Sequence, residues 1–482
     1  MIPLTRSIPL LKALFLASVL LFAGCDDSTV VDETEPSTDG PDMEAPSIFS
    51  SHDKPPVLLQ GFYWDSPADV GDGEWWDFVR TRIPELADDG FTHMWLPPAH
   101  KAQNCPSMGY DPYDYFDLGE YNQKCGTETW FGSRQELEQL VDVADQENIT
   151  LMADIVFNHN SGGDLEYNPN VGDSTYTDFQ PASGEYTFDY NNFHPSTYAD
   201  SDAGTFAGFS DLAHANPETF NVVQDHQQWL DDTIGFDAWR YDFVKGLNPS
   251  VVRELQQNVG GFGVGEFWDG NKDLLHQWLN DIDYTASVFD FPFFYSLQAM
   301  ANDGSGNYDM RNLWGSGMLF DVPFHTVTFV ENHDTDKDDP IVQDKRMAYA
   351  TILTHEGVPT VFWKDYYNYG LARRGEATGI AQLIWVYQTL ADGGSTLLHA
   401  DEDLYMMQRD GSPGLVLVLN DDPNDWKGTT VNTQWANTEL HAYAWGSSVE
   451  EPQPQNKWTD GNGSVDLWAP PRGYAVYAPN GY

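Results

Sequence analysis

Short apolar runs recur along this chain, and amphipathic or polar stretches separate them. Eight runs read as strands: 57–62, 93–96, 151–157, 236–241, 262–266, 287–291, 326–330 and 360–363. Between them, 133–146 and 217–232 carry helical spacing, and Ser133 with Glu136 forms the S-x-x-E capping signature of a helix start. Strands alternating with helices imply a parallel sheet. Eight such units predict a (β/α)8 TIM barrel, with chemistry at the C-terminal ends of its strands; a doubly wound open sheet fits the same pattern.

One connection, 158–215, is too long for an ordinary loop and is rich in Gly, Asp, Asn, Ser and Tyr. Such an insertion after the third strand usually has a function or a ligand of its own. Past residue 392 the pattern changes. Short alternating runs at 404–408, 415–419 and 473–476 are split by Gly, Asp, Pro and Asn. They predict a C-terminal antiparallel β domain over 393–482, after a barrel over 55–392.

The ends of the first, N-terminal region differ from both. Arg6 and Lys12 precede an apolar stretch that closes in Leu21-Phe22-Ala23-Gly24-Cys25. The stretch suits a signal segment over 1–25 and is too short to span a bilayer. Its close resembles a bacterial lipoprotein signal, which would make Cys25 the lipidated residue; an ordinary secretory signal with an incidental Cys is the alternative. Either places the protein outside the cytoplasm, lipid-anchored to the cell envelope or secreted. Residues 26–54 are acidic and rich in Pro, Ser and Thr, and read as a flexible tether. Any membrane contact is then expected only through the N-terminal lipid. Export also permits a disulfide between Cys105 and Cys125, closing a loop of about 20 residues worth ~3 kcal/mol in the chain-entropy model.

Charge narrows the partners. The 482 residues carry 75 Asp and Glu against 23 Lys and Arg, a formal net charge of −52. Nucleic acid is excluded as an expected partner, because binding it needs basic patches. Hydrophobic residues at 41% argue for a folded chain rather than a disordered one. A surface adapted to concentrated salt explains the excess, since salt screens its self-repulsion; tuning for solubility at low salt is the rival. Aromatic residues at 14%, with 17 Trp and 24 Tyr, suit flat surfaces that stack on sugars as well as ordinary packing.

Four strand-end segments carry the candidate chemistry: Asp154 to Asn158-His159; Arg240-Tyr-Asp242 with Lys245 and Gly246; Gly265-Glu266; and Asn332-His333-Asp334. Each places charged or imidazole groups just past an apolar strand. Carboxylates on neighbouring parallel strands, here Asp242 and Glu266, are the layout that glycosidic bond cleavage requires. A cation as close as Arg240 favours the ionised form of Asp242, while apolar neighbours such as Phe267 and Trp268 keep Glu266 protonated.

In order and spacing, these segments resemble the four signature regions of the α-amylase family of glycoside hydrolases. The resemblance covers about residues 56–482. It is closest to archaeal and plant-type members, through MGYDPYDYFDLGEY at 108–121, GGD at 162–164, VGD at 171–173 and VKG at 244–246. It implies Asp242 as nucleophile, Glu266 as general acid/base and Asp334 as transition-state stabiliser. It further implies Tyr110, His159, Arg240, Lys245 and His333 as substrate-binding residues, with Asp154 supporting them. Calcium is the implied metal, held between the barrel and the insertion by Asn158, Asp202 and Asp211 with the backbone carbonyls of Gly204 and Gly246. A zinc site found in some archaeal members is not expected, because Ala199 and Ala213 stand beside His194 where ligands would be.

The implied activity is endo-hydrolysis of α-1,4-glucosidic bonds in starch or glycogen by a monomer. A maltooligosaccharide or cyclodextrin hydrolase, a transglycosylase, and a surface starch-binding lipoprotein without activity are the alternatives. Retention of anomeric configuration requires the two carboxyl groups to stand roughly 5–5.5 Å apart.

Overall fold

The computed structural model describes residues 47–124, 126–199, 206, 208–449 and 452–482. Eight parallel strands close into a barrel: β1 (Leu58–Gln60), β2 (His93–Trp95), β3 (Thr150–Ile155), β4 (Ala238–Tyr241), β5 (Phe262–Gly265), β6 (Ser287–Phe289), β7 (Thr326–Phe329) and β8 (Val358–Phe362). Each pairs with its neighbours in chain order, and β1 pairs with β8 to complete the ring. Both faces of these strands are covered, so they read as nearly continuous apolar runs. All eight expected strands are present, and the open-sheet alternative is excluded by closure.

Helices surround the barrel. The helix Arg134–Gln146 opens on the expected box, with Ser133 accepting from Glu136 N and Glu136 accepting from Ser133 N. Its buried residues Leu137, Leu140, Val141 and Ala144 recur at helical spacing, forming one apolar stripe toward the strands. Asn216 caps Pro217–Trp229, where a proline at the first turn costs no hydrogen bond.

The insertion contains more structure than its sequence pattern shows. Asp164–Asn168 and Asp173–Asp178 form a β-hairpin, while His159–Asn160 pairs with Ser210–Asp211. Cys105 is disulfide-bonded. Its expected partner, Cys125, lies outside the described residues, as does Cys25.

Residues 47–54 depart from the expected tether. Ile48 is 1% exposed, Phe49 meets Phe324 edge-on at 5.5 Å, and His52 hydrogen-bonds Thr150 and Asn148. One apolar pair in a polar stretch shows no periodicity, yet it suffices to anchor the segment against the barrel.

After the barrel, a six-stranded antiparallel sheet runs from Ser395–Ala400 to Gly473–Pro479. One face, with Tyr405, Met407, Leu417 and Val476, joins the barrel core. The other, with Met406, Val416, Val418 and Ala475, forms a second core with Val465 and Leu467 of a two-stranded ribbon. Arg472 ties sheet to barrel: it donates to Met300 O and Ala301 O at the end of helix Phe291–Asp303 and pairs with Asp344 and Asp421.

Candidate active site

Strand register assembles the site. Arg240 stands opposite Asp154 across β4 and β3. Beyond β4, Asp242 N donates to Ile155 O at 3.0 Å; beyond β5, Glu266 N donates to Tyr241 O at 3.0 Å. The ladder thus runs one step past the strands and fixes both carboxylates at the barrel mouth. Gly265 precedes Glu266 because a Cβ there would stand 2.3 Å from the Trp278 ring.

Arg240 is the hub. Its Nη1 donates to Asp154 at 2.7 Å and to Asp242 at 2.6 Å, and its Nη2 reaches Glu266 at 2.8 Å. Trp95 Nε1 and Tyr110 Oη donate to the other oxygen of Asp154, at 3.0 and 2.7 Å. The chain turns after Asp242 at Phe243, whose φ of 42° lies in the left-handed region. Phe243 N donates to Glu266 at 3.1 Å.

Burial separates the carboxyl groups chemically. Loss of water pushes Glu266 up to about 8; Asp242 and Asp334 add to the rise, and Arg240 opposes it. Asp154 is pushed up to about 6, again by burial first and against Arg240. His333 is driven down to about 4 by burial, so it is neutral at pH 7. Gln60 Nε2 lies 2.9 Å from His333 Nδ1. With Gln60 as donor, the ring proton sits on Nε2, which faces Asp334 at 3.4 Å. Trp64 Nε1 donates to the other Asp334 oxygen at 3.0 Å.

A cleft of about 820 Å³ opens over this cluster. Asp242, Glu266 and Asp334 line it together with Tyr110, Lys245 and His333. The Tyr110 ring stacks on His333, with centroids 5.3 Å apart and planes 9° apart. Lys245 is held at the wall by Asp269 at 2.8 Å and by Trp268 O at 3.1 Å. A pocket of this size, with acids on its floor and aromatic walls, suits a neutral polar ligand with flat apolar faces.

A family model described as "Alpha amylase, catalytic domain" matches residues 60–366, and one for "Alpha-amylase C-terminal" matches 415–478. The chain belongs to the α-amylase family, and it is a glycoside hydrolase. It is 31% identical over 370 residues to the glucan 1,4-alpha-maltohexaosidase of Bacillus sp. (strain 707), covering 65% of this chain and 71% of that protein. It is 28% identical over 454 residues to the alpha-amylase of Bacillus licheniformis, covering 80% and 87%. The solved alpha-amylase of Malbranchea cinnamomea shares the fold at a TM-score of 0.65 and 16% identity, over 90% of this chain and 98% of that one.

Two residues expected to touch substrate in this α-amylase family site lie beneath its surface. Arg240 is fully buried under the carboxylates it binds. His159 is buried too: its Nε2 meets Tyr110 O at 2.9 Å, and Phe206 and Phe209 stack over its ring. Those two phenylalanines form the cleft wall instead. Residues that sequence reasoning did not single out also matter. Gln60, Trp64 and Trp95 follow or end β1 and β2 and orient His333, Asp334 and Asp154. Gln60 and Trp95, polar-tipped groups inside the apolar runs 57–62 and 93–96, carry the available signal in the sequence; Trp64, two residues past its run, carries none.

The calcium set is brought together as far as it is described. Asn158 Oδ1 is buried without a hydrogen-bond partner. Asp211 lies beside it, with Leu212 N donating to Asn158 O at 3.1 Å. A Cβ at Gly246 would stand 2.1 Å from Asn158 Oδ1, so glycine lets that turn approach the carboxamide. Amide, carboxylate and carbonyl oxygens are the hard donors calcium takes, and they fit. Asp202 and Gly204 lie outside the described residues. Among the described residues, no group of three or more His, Cys, Asp or Glu could hold a metal.

Proposed function

We propose that this protein is an endo-acting α-amylase that hydrolyses α-1,4-glucosidic bonds of starch or glycogen with retention. The observation that carries the reading is the single Arg240 guanidinium, which holds Asp242 and Glu266 on adjacent nitrogens under the cleft. That arrangement favours the close carboxyl spacing of a retaining enzyme. Asp242, paired with a cation, attacks the anomeric carbon. Glu266, kept protonated by burial, gives its proton to the departing glycosidic oxygen as that bond breaks. Glu266, now ionised, takes a proton from water, the water oxygen attacks the same carbon, and Asp242 is released. Asp334, turned toward the cleft by Trp64, stabilises the positive charge that develops on the ring. Tyr110 offers a stacking face, and Lys245 and His333 offer donors to sugar hydroxyls.

With all three carboxylates in one cleft, catalysis is favoured over passive starch binding. The maltohexaosidase relative favours a second reading in which products have a preferred length. Incubation with soluble starch decides between them. Release of reducing ends as a mixture of sizes, initially in the α-configuration, supports the endo reading; a dominant single product supports the second; β-anomers or no release overturn both. The same assay in molar salt tests the salt-adapted surface inferred from the net charge of −52. Activity is expected to persist there, and collapse of activity in salt refutes that part.

Calcium would be held by Asn158, Asp211 and the Gly246 carbonyl, with Asp202 and the Gly204 carbonyl expected to complete the set. It would tie the insertion to the β4 loop and supply charge rather than a reacting group. Chelation is expected to lower the melting temperature by several degrees, through lost linkage to the folded state. An unchanged melting curve removes calcium from the account.

The lipid anchor at Cys25 and export to the cell envelope are part of the proposal, as is the monomeric state. No described helix is long and apolar enough to cross a membrane. The archaeal and plant-type affinity rests on 108–121 and the GGD, VGD and VKG motifs; the two relatives compared above by sequence are Bacillus proteins.

A further inference from the structure

The insertion hairpin is built inside out. Its register pairs Leu165 with Tyr176 and Tyr167 with Ser174, so these four side chains share one face. On that face Leu165 is 57% exposed, Tyr167 64% and Tyr176 67%, and Val171 at the turn is 45% exposed. The opposite face carries Glu166, Asn168, Thr175 and Thr177, and of these Asn168 and Thr177 are buried. Thr177 donates to Glu166 at 2.7 Å, which satisfies the polar inner face. A hairpin stabilised by burial alone would show the reverse pattern. Large apolar groups displayed in a patch, with polar groups hidden behind them, mark an interaction surface.

We infer that this outer face is a docking platform for an α-glucan chain, separate from the cleft and stacking sugar rings on Tyr167 and Tyr176. The inference rests on the glucan reading above. Charge selects the occupant. No Lys or Arg lies between Arg134 and Arg240, and the acids Asp164, Asp173 and Asp178 stand on the same two strands as the tyrosines, with Lys124 at Gly162 O as the nearby cation. At low ionic strength a polyanion, an anionic membrane or a second copy of this acidic chain would be repelled. A neutral polysaccharide meets no such repulsion, and its apolar ring faces match exposed phenol rings. Position agrees: Ser210 donates to Tyr176 O at 3.1 Å, and the adjoining Phe209 lines the cleft. A chain too long for the cleft would find the platform at hand.

The test compares wild type with Tyr167→Ala/Tyr176→Ala and Tyr167→Phe/Tyr176→Phe. Both tyrosine rings are exposed and outside the core, so the fold is expected to survive; circular dichroism and the melting curve check this. Retention on insoluble starch is expected to fall about tenfold in the alanine pair and to hold in the phenylalanine pair, because stacking needs the ring. Hydrolysis of granular starch should fall with it, while kcat/KM for a short maltooligosaccharide stays at the wild-type value. Unchanged starch retention in the alanine pair overturns the platform. So does sedimentation showing that the face joins two copies which the alanine pair separates. If wild type fails to cleave the short substrate, the glucan reading itself falls; if it cleaves and only retention is unaffected, the platform alone falls.

Discussion

Replacing Glu266 with Gln is expected to leave less than about one-thousandth of the wild-type kcat on soluble starch, since general acid–base catalysis alone contributes 10²–10⁴-fold. Gln has the size of Glu and can still accept from Phe243 N, but it has no proton to give the leaving oxygen and cannot take one from water. The pH dependence sharpens the assignment. Burial holds Glu266 up to about 8, so its acid form persists through neutral pH and is lost as pH rises through that value. Wild-type kcat/KM should therefore fall on the alkaline side near pH 8.

Stability carries the same signature. Between about 4.5 and 8 the folded state holds a proton on Glu266 that the unfolded chain has released. Protons bound preferentially by the folded state make unfolding easier as pH rises. This contribution is complete below the unfolded value and is lost as pH climbs through the folded one. Glu266→Gln should flatten that slope. Circular dichroism confirms folding, and reducing-end assays from pH 5 to 9 read the rest. A variant that keeps more than about a tenth of wild-type kcat would remove Glu266 from the acid role.

The parts of this fold that the sequence announces are those where one physical rule acts alone. Parallel strands covered on both faces must be apolar throughout, so β1 to β8 stand out as runs. The polar groups that end β3, β4, β5 and β7 stand out because nothing in a core explains them. The capping box at Ser133 is local and equally plain. What was hidden depends on distance or on exception. Trp64 reaches Asp334, and Gln60 reaches His333, only because the barrel closes. Phe206 and Phe209 cover His159 only because the insertion folds back, which no spacing reveals. Residues 47–54 look like linker because one apolar pair makes no period. The hairpin is hidden in the sequence because its apolar residues face outward, against the usual strand pattern.

The largest stability effect is expected at Arg240, whose guanidinium serves Asp154, Asp242 and Glu266 at once. Arg240→Met keeps much of the volume and removes the charge, leaving three acids crowded with no cation. Breaking a buried ion network in this way typically costs about 3–5 kcal/mol. Activity should fall as well, because Asp242 loses the partner that holds its carboxylate. The cost should depend on pH in one direction. Even beside Arg240, burial raises Asp154 to about 6 and Glu266 to about 8. Without the cation both rise further, so the folded variant binds more protons than the unfolded chain across the window above 3.8 and 4.5. Its stability is then lost as pH rises and partly recovered toward pH 5, where the acids become neutral. Denaturant unfolding at pH 5 and pH 8 is expected to show the deficit against wild type shrinking at the lower pH. Arg240 also lies over the Trp95 ring at 4.8 Å and near the Tyr110 ring at 5.9 Å. A deficit equal at both pH values would trace its contribution to that stacking rather than to the carboxylates.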